Sequence, residues 1–279
     1  MSEIHNSRIG FMQGRLSPMT DGKIQSFPWD SWENEFSIAR NIGLSLMEWT
    51  IDSSDFILNP ILVEAGCKSI SKLKKLNNIQ VSSVTSDYFM ENPPWIEHFK
   101  EVARNHRNIC KGMKAVGAKY LIIPLVDNSS LSNKESVNEF LNFMTELENT
   151  LREFEITVAI ESDYAPNELQ FFISQFDPEI VGINYDIGNS ASFGFDPREE
   201  IDAIGNRIVN VHVKDRKLGG STVPLGTGNA NLPDTIKMIE ASGYKGNYIL
   251  QTARATGEKH VEVIIEYAKM MEEWLYASK

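Results

Sequence analysis

The chain has 279 residues, 42% of them hydrophobic and 23% charged, which is enough to bury a sizeable core in one large α/β domain or two ordinary ones. Its formal net charge of -11 argues against general nucleic-acid binding, which needs a basic face to displace counterions from phosphates, but it leaves room for a local basic pocket. No apolar run is long enough for a bilayer span, residues 1–7 lack the apolar core of a signal peptide, and Cys67 and Cys110 have no metal-type spacing; the expectation is a cytoplasmic protein with reduced thiols and no membrane partner.

Residues 8–12 form a short apolar run that ends in a loop signal at 13–18. Helical periodicity over 31–42 stops at Gly43, and 44–51 reads as a second strand carrying Glu48. A helix over 61–76 leads to a third strand at 79–84, then to an aromatic and proline-rich loop at 87–95. A long helix over 96–116 ends at Gly117, a fourth strand spans 119–125, and a helix follows at 135–154. Strand five ends at Glu161, with a helix over 166–175; strand six ends at Asp186, with a short helix over 197–205. Strand seven carries His212, a glycine-rich loop occupies 218–229, and a helix spans 232–242. Strand eight ends at Gln251, and an amphipathic helix over 258–276 closes the chain.

Eight strand-then-helix units without an obvious linker predict parallel pairing with right-handed crossovers. At this length they point to a single (β/α)8 TIM barrel over residues 1–279, which typically takes about 250 residues. A doubly wound open sheet is the alternative, but no GxGxxG follows the first strand.

In such a barrel the C-terminal strand ends converge on one rim. Of the five histidines, His5 lies in the N-terminal tail and His98, His106 and His260 in polar, helix-like contexts; His212 alone lies in a strand pattern. Glu161, Asp186, His212 and Gln251 end four successive strands, with spacings of 25, 26 and 39 residues. Any one of them is ordinarily a polar strand cap. Together, two carboxylates, an imidazole and an amide oxygen make a mixed N/O set suited to one divalent ion, Mn²⁺, Co²⁺, Zn²⁺ or Mg²⁺.

The runs 158–161, 186–189, 212–215 and 243–246 resemble the xylose-isomerase-like TIM barrels, a superfamily of sugar and sugar-phosphate isomerases and epimerases, inosose dehydratases and endonuclease IV-type repair enzymes. The resemblance covers nearly the whole chain. It implies that the residues matching Glu161, Asp186, His212 and position 251 hold one divalent ion. It also implies that two glutamates shuttle a proton at the carbon beside a sugar carbonyl, through a stabilised enediolate. Return of the proton to the same carbon from the other face gives epimerisation, and to its neighbour, isomerisation.

Two positions depart from the family pattern. Position 251 is glutamine, which can ligate but cannot act as a general base, and position 189 is asparagine where relatives carry histidine. The expected catalytic residues are therefore Glu161 as sole carboxylate base, with Lys214 or a water as its partner. The alternatives are a dehydratase needing one base, or a barrel that binds sugar without turning it over. An abasic-site endonuclease, needing several strand-end histidines for three zinc ions, is disfavoured.

Arg15, Arg216 and Arg254 follow strands one, seven and eight, and with Glu48, Trp95 and Asn189 they are expected around a sugar, sugar phosphate or acidic sugar. The competing expectation, of equal weight, pairs each arginine with a rim carboxylate such as Asp163, Asp215 or Glu48. The glycine-rich loop lacks phosphate-loop spacing and reads as a flexible turn. Met270, Met271 and Trp274 read as core or subunit contact, and the last helix permits a homo-oligomer.

Overall fold

Eight parallel strands close on themselves in the computed structural model, which describes residues 4, 6–20, 22–95 and 99–278. They are β1 (Ile9–Met12), β2 (Leu46–Ile51), β3 (Gln80–Ser86), β4 (Tyr120–Leu125), β5 (Thr157–Ser162), β6 (Val181–Asp186), β7 (Ile208–Val213) and β10 (Tyr248–Leu250). Their order round the barrel is β1-β10-β7-β6-β5-β4-β3-β2, so the first and last strands meet as expected for a TIM barrel. A two-stranded hairpin, β8 (Asp215–Arg216) and β9 (Thr222–Val223), rises from the end of β7.

The helices are α1 (Trp32–Asn41), α2 (Glu64–Asn77), α3 (Tyr88–Glu91), α4 (Phe99–Val116), α5 (Lys134–Phe154), α6 (Pro166–Ile173), α7 (Ile187–Phe193), α8 (Pro197–Ile204), α9 (Leu232–Ala241) and α10 (His260–Ala277). Two of them lie where the sequence predicts no helix. α3 turns within the aromatic stretch after β3, and α7 starts directly at β6 because the Asp186 carboxylate caps it, accepting from the Asn189 N–H at 2.9 Å. His5 and His98 lie outside the described residues. Among those described, no helix is long and apolar enough to cross a membrane.

The apolar core has two parts. The larger lies between strands and helices and takes in Met271, with Trp274 packed at its margin. A small separate cluster of Met12, Leu46 and Ile249 fills the barrel interior. Gly10 faces this plug, and a Cβ there would meet Leu46 and Ile249 side chains within 2.9 Å. The inward face is therefore known on these strands, and the two-residue period carries it upward from Ile249 to Gln251 and from Leu46 to Glu48.

His106 corrects the expectation of a polar setting. It is fully buried on α4, with ring centroids 5.1 Å from Phe143 and 5.5 Å from Phe89. Its Nδ1 lies 3.0 Å from Val102 O and its Nε2 3.4 Å from Ser86 Oγ, partners for a neutral imidazole. Burial pushes its pKa down to about 4. A folded pKa below the ordinary value near 6.5 means that the stabilising contribution is complete above pH 6.5 and is lost as pH falls towards 4. Unfolding in urea at pH 6.5, 5 and 4 is expected to lose about 3 kcal/mol more in the wild type than in His106→Phe. Parallel pH slopes in the two proteins would refute this assignment.

Candidate active site

Alternation along adjacent strands builds the polar end of the barrel. Asn184 and Asp186 on β6 face the same way, as do Asn210 and His212 on β7, and the register pairs Asn184 with Asn210 and Asp186 with His212. Glu161, the last residue but one of β5, stands one strand away. Donor atoms of Glu161, Asp186 and His212 all lie within 4.8 Å of one another, and all three residues are buried.

His212 is the hinge of this group. Its Nε2 lies 2.7 Å from Glu48 Oε1, and its Nδ1 lies 3.1 Å from Glu161 Oε2 and 3.9 Å from Asp186 Oδ2. Burial alone would lower the imidazole pKa, but the Glu48 and Glu161 carboxylates outweigh it and raise it to about 10. Asn184 Nδ2 also approaches Nδ1, at 3.0 Å. Glu161 can only accept there and the amide can only donate, so Nδ1 has a partner both with and without its proton.

The two other carboxylates are set apart by their surroundings. Asn189 Nδ2 and Asn184 Nδ2 each donate to a different Glu161 oxygen at 2.7 Å. Burial opposes ionisation of Glu161, but the hydrogen bond and charge of His212 prevail and lower its pKa. At Asp186 burial prevails and raises the pKa, against the pull of Lys214. The Lys214 ammonium is 2.6 Å from Asp186 Oδ2, yet that oxygen is buried and receives no hydrogen bond of good geometry. Two carboxylates and an imidazole whose donor atoms lie within 4.8 Å of one another suit a divalent cation, so the residues fit the ion the strand ends imply.

Gln251 sits on the same rim, but its Oε1 accepts from Lys214 Nζ at 2.8 Å. A cavity of about 310 Å³ opens beside these groups, with Glu161, Asn189, Lys214, Arg216, Gln251 and Asp87 on its wall. Arg15 also lines it, though its guanidinium is held by Thr252 O, Ile24 O and Gln25 Oε1 at 3.0, 2.9 and 3.1 Å. Arg216 is tied to Gly220 O at 2.7 Å and to Asn189 Oδ1 at 2.8 Å.

Three residues expected at the substrate stand elsewhere. Glu48 is fully buried below the rim, accepting from Thr85 Oγ1 at 2.6 Å and Asn210 Nδ2 at 3.0 Å as well as facing His212. Trp95 stacks edge-on to Phe89 and is absent from the cavity wall. Arg254 donates to Gly14 O and Ser17 O, and so braces the loop after β1. Among the described residues, none of the three arginines pairs with a carboxylate as the competing expectation had it. The glycine-rich loop is not a free turn: Asp215 accepts from the N–H groups of Gly226, Gly228 and Ala230, and a Cβ at Gly228 would stand 2.0 Å from Asp215 Oδ1.

Sequence reasoning passed over Asn184, Asn210, Thr85, Gln25 and Asp87. The two asparagines had a signal, standing two residues before Asp186 and His212 on the same strand face. Gln25 lies in a loop with no periodicity to place it.

A closed parallel barrel with a buried carboxylate–imidazole cluster at its C-terminal rim defines a TIM barrel with a candidate metal centre. The chain belongs to the xylose isomerase-like TIM barrel family, whose model matches residues 36–274. A curated relative, L-ribulose-5-phosphate 3-epimerase UlaE of Salmonella paratyphi A, is 36% identical over 74 residues; the match spans 26% of each protein. Among solved structures, a D-tagatose 3-epimerase-like protein superposes with a TM-score of 0.74 at 16% identity, covering 97% of this chain and 98% of that one. The IOLI protein, solved with a binding zinc atom, superposes with a TM-score of 0.73 at 15% identity, covering 95% and 97%.

Proposed function

We propose that this protein is a divalent-metal-dependent epimerase or isomerase acting at the carbon beside the carbonyl of a ketose or ketose derivative. The observation that carries the reading is the convergence of Glu161, Asp186 and His212 donor atoms beside a cavity of small-molecule size. The epimerase names of the UlaE relative and of the D-tagatose 3-epimerase-like structure support it.

Glu161, Asp186 and His212 would hold the ion, with the Gln251 amide oxygen beside them as a further donor once it releases Lys214. A divalent ion bound there supplies Lewis acidity, polarising a carbonyl and its neighbouring hydroxyl. The remaining work falls to the chain. Glu161, fixed by two amide donors, accepts the C–H proton. Lys214, bridging Asp186 and Gln251, presents an ammonium to the developing oxyanion. With Arg254 turned to the backbone, the case for an anionic substrate rests on Arg15, Lys214 and Arg216. The amide at position 251 favours a second reading, dehydration with a single base, because glutamine cannot return a proton.

The test is deuterium wash-in. Protein loaded with Mn²⁺, incubated in D₂O with D-tagatose, D-fructose and L-ribulose 5-phosphate, is expected to exchange one carbon-bound hydrogen of at least one ketose, observed by NMR. Release of water with loss of the hydroxyl on the adjoining carbon would favour the dehydratase. Tight binding without exchange would leave a sugar-binding barrel.

A further inference from the structure

We propose that Asp87 is the second proton-transfer group of this site, the acid that returns a proton to the carbon Glu161 deprotonates. This role rests on the epimerase reading above. Asp87 immediately follows β3, two strands round the barrel from β5 and three from β10, so it approaches the cavity from a wall used by neither Glu161 nor Gln251. It lines the same cavity as Glu161 and Lys214.

Its hydrogen bonding leaves it free to act. Gln25 Nε2 donates to Asp87 Oδ2 at 2.8 Å, while Gln25 Oε1 faces Arg15 Nη2 at 3.1 Å and Gln251 Nε2 at 3.4 Å. Gln25 thus anchors one oxygen of Asp87 to the side chain standing where the family's second carboxylate would be. Among the described residues no hydrogen bond reaches Oδ1. The charged groups acting on Asp87 are Glu161, Asp52, His212 and the Arg15 guanidinium. Burial dominates and pushes its pKa up to about 7, so near neutrality it is present in both protonation states, as proton return requires.

The step balances. Glu161 takes the C–H proton and the electron pair passes into the carbonyl, giving an enediolate. Asp87 O–H then supplies a proton to the other face of the same carbon, and the pair returns to form the new C–H bond. One carboxyl gains the proton the other loses, and exchange with water resets both.

Two measurements test the role. With Mn²⁺-loaded protein and the same ketoses in D₂O, Asp87→Asn is expected to keep deuterium wash-in from the face served by Glu161, while conversion to the epimer falls by about 100-fold or more. A merely structural residue would lower exchange and conversion together. That outcome, or conversion at the wild-type rate, overturns the proposal while leaving the epimerase reading standing. Absence of exchange in the wild type overturns both. The second measurement needs neither metal nor substrate: the ¹³C-carboxyl resonance missing from metal-free Asp87→Asn is expected to titrate near pH 7. A midpoint near 4, the ordinary aspartate range, would leave too little acid at neutral pH and overturn the role.

Discussion

His212→Ala is expected to abolish stoichiometric metal binding. After equilibration with Mn²⁺, Co²⁺ or Zn²⁺ and gel filtration, elemental analysis should find about one ion per wild-type chain and background levels in the variant. His212 is the one nitrogen donor in the cluster, and its imidazole stands between both other donors. Losing an outer partner of a ligand typically costs about 10–100-fold in affinity, and losing the ligand itself should cost more. The substitution acts a second time through Glu48. That carboxylate is fully buried, and although burial opposes its ionisation, the imidazolium beside it lowers its pKa. Without His212, Glu48 keeps only neutral donors, Thr85, Ser83 and Asn210, so its pKa should rise and the variant should unfold at lower temperature. Deuterium wash-in should vanish with the metal. A variant that retains one ion per chain would refute the assignment of the cluster.

Much of this arrangement was legible in the sequence for a geometric reason. Parallel strands place every second residue on one face, and a closed barrel brings all strand ends to one rim, so the position of a residue at the end of a strand pattern already locates it in space. Glu161, Asp186, His212 and Gln251 follow that rule, and their arrival at one rim is what the structure shows. Asn184 and Asn210 obey the same rule one period earlier and could have been read with it. The rule gives a face, though, and not a depth. Glu48 lies on the inward face of β2 but below the rim, and which layer it occupies is fixed by its pairing with Ser83 across an irregular register with β3. Arg254, which braces the loop after β1 and is absent from the cavity wall, departs from expectation for another reason. A guanidinium has five donors and seeks carbonyls as readily as anions, and the path of residues 13–17 and 24–25 supplies those carbonyls to Arg15 and Arg254. Nothing in the local pattern records that path. Asp87 was hidden more simply: the aromatic residues after it suggest a surface loop, while the strand that it follows was the informative neighbour.

Replacing Glu48 should therefore affect the metal centre without touching substrate. Its carboxylate faces His212 Nε2 at 2.7 Å, which fixes the ring and reserves Nδ1 for the ion. A carboxylate on the far nitrogen raises the basicity of a histidine ligand, and removing such a partner costs roughly 10–100-fold in metal affinity. Glu48→Gln keeps the volume but puts an amide beside the ring. If its oxygen still accepts from Nε2–H, the site survives with weaker affinity and near-wild-type KM for the ketose. Glu48→Ala is more severe, because it leaves Thr85 Oγ1, Asn210 Nδ2 and the imidazole without a shared acceptor inside the barrel. Breaking a buried charged pair in this way costs about 3–5 kcal/mol, which should appear as a lower urea midpoint for Glu48→Ala than for Glu48→Gln. Competition with a metal chelator gives the affinity and urea titration gives the stability. A substrate-binding Glu48 predicts the converse pattern, raised KM with metal affinity unchanged, and that result would place the side chain in the cavity after all.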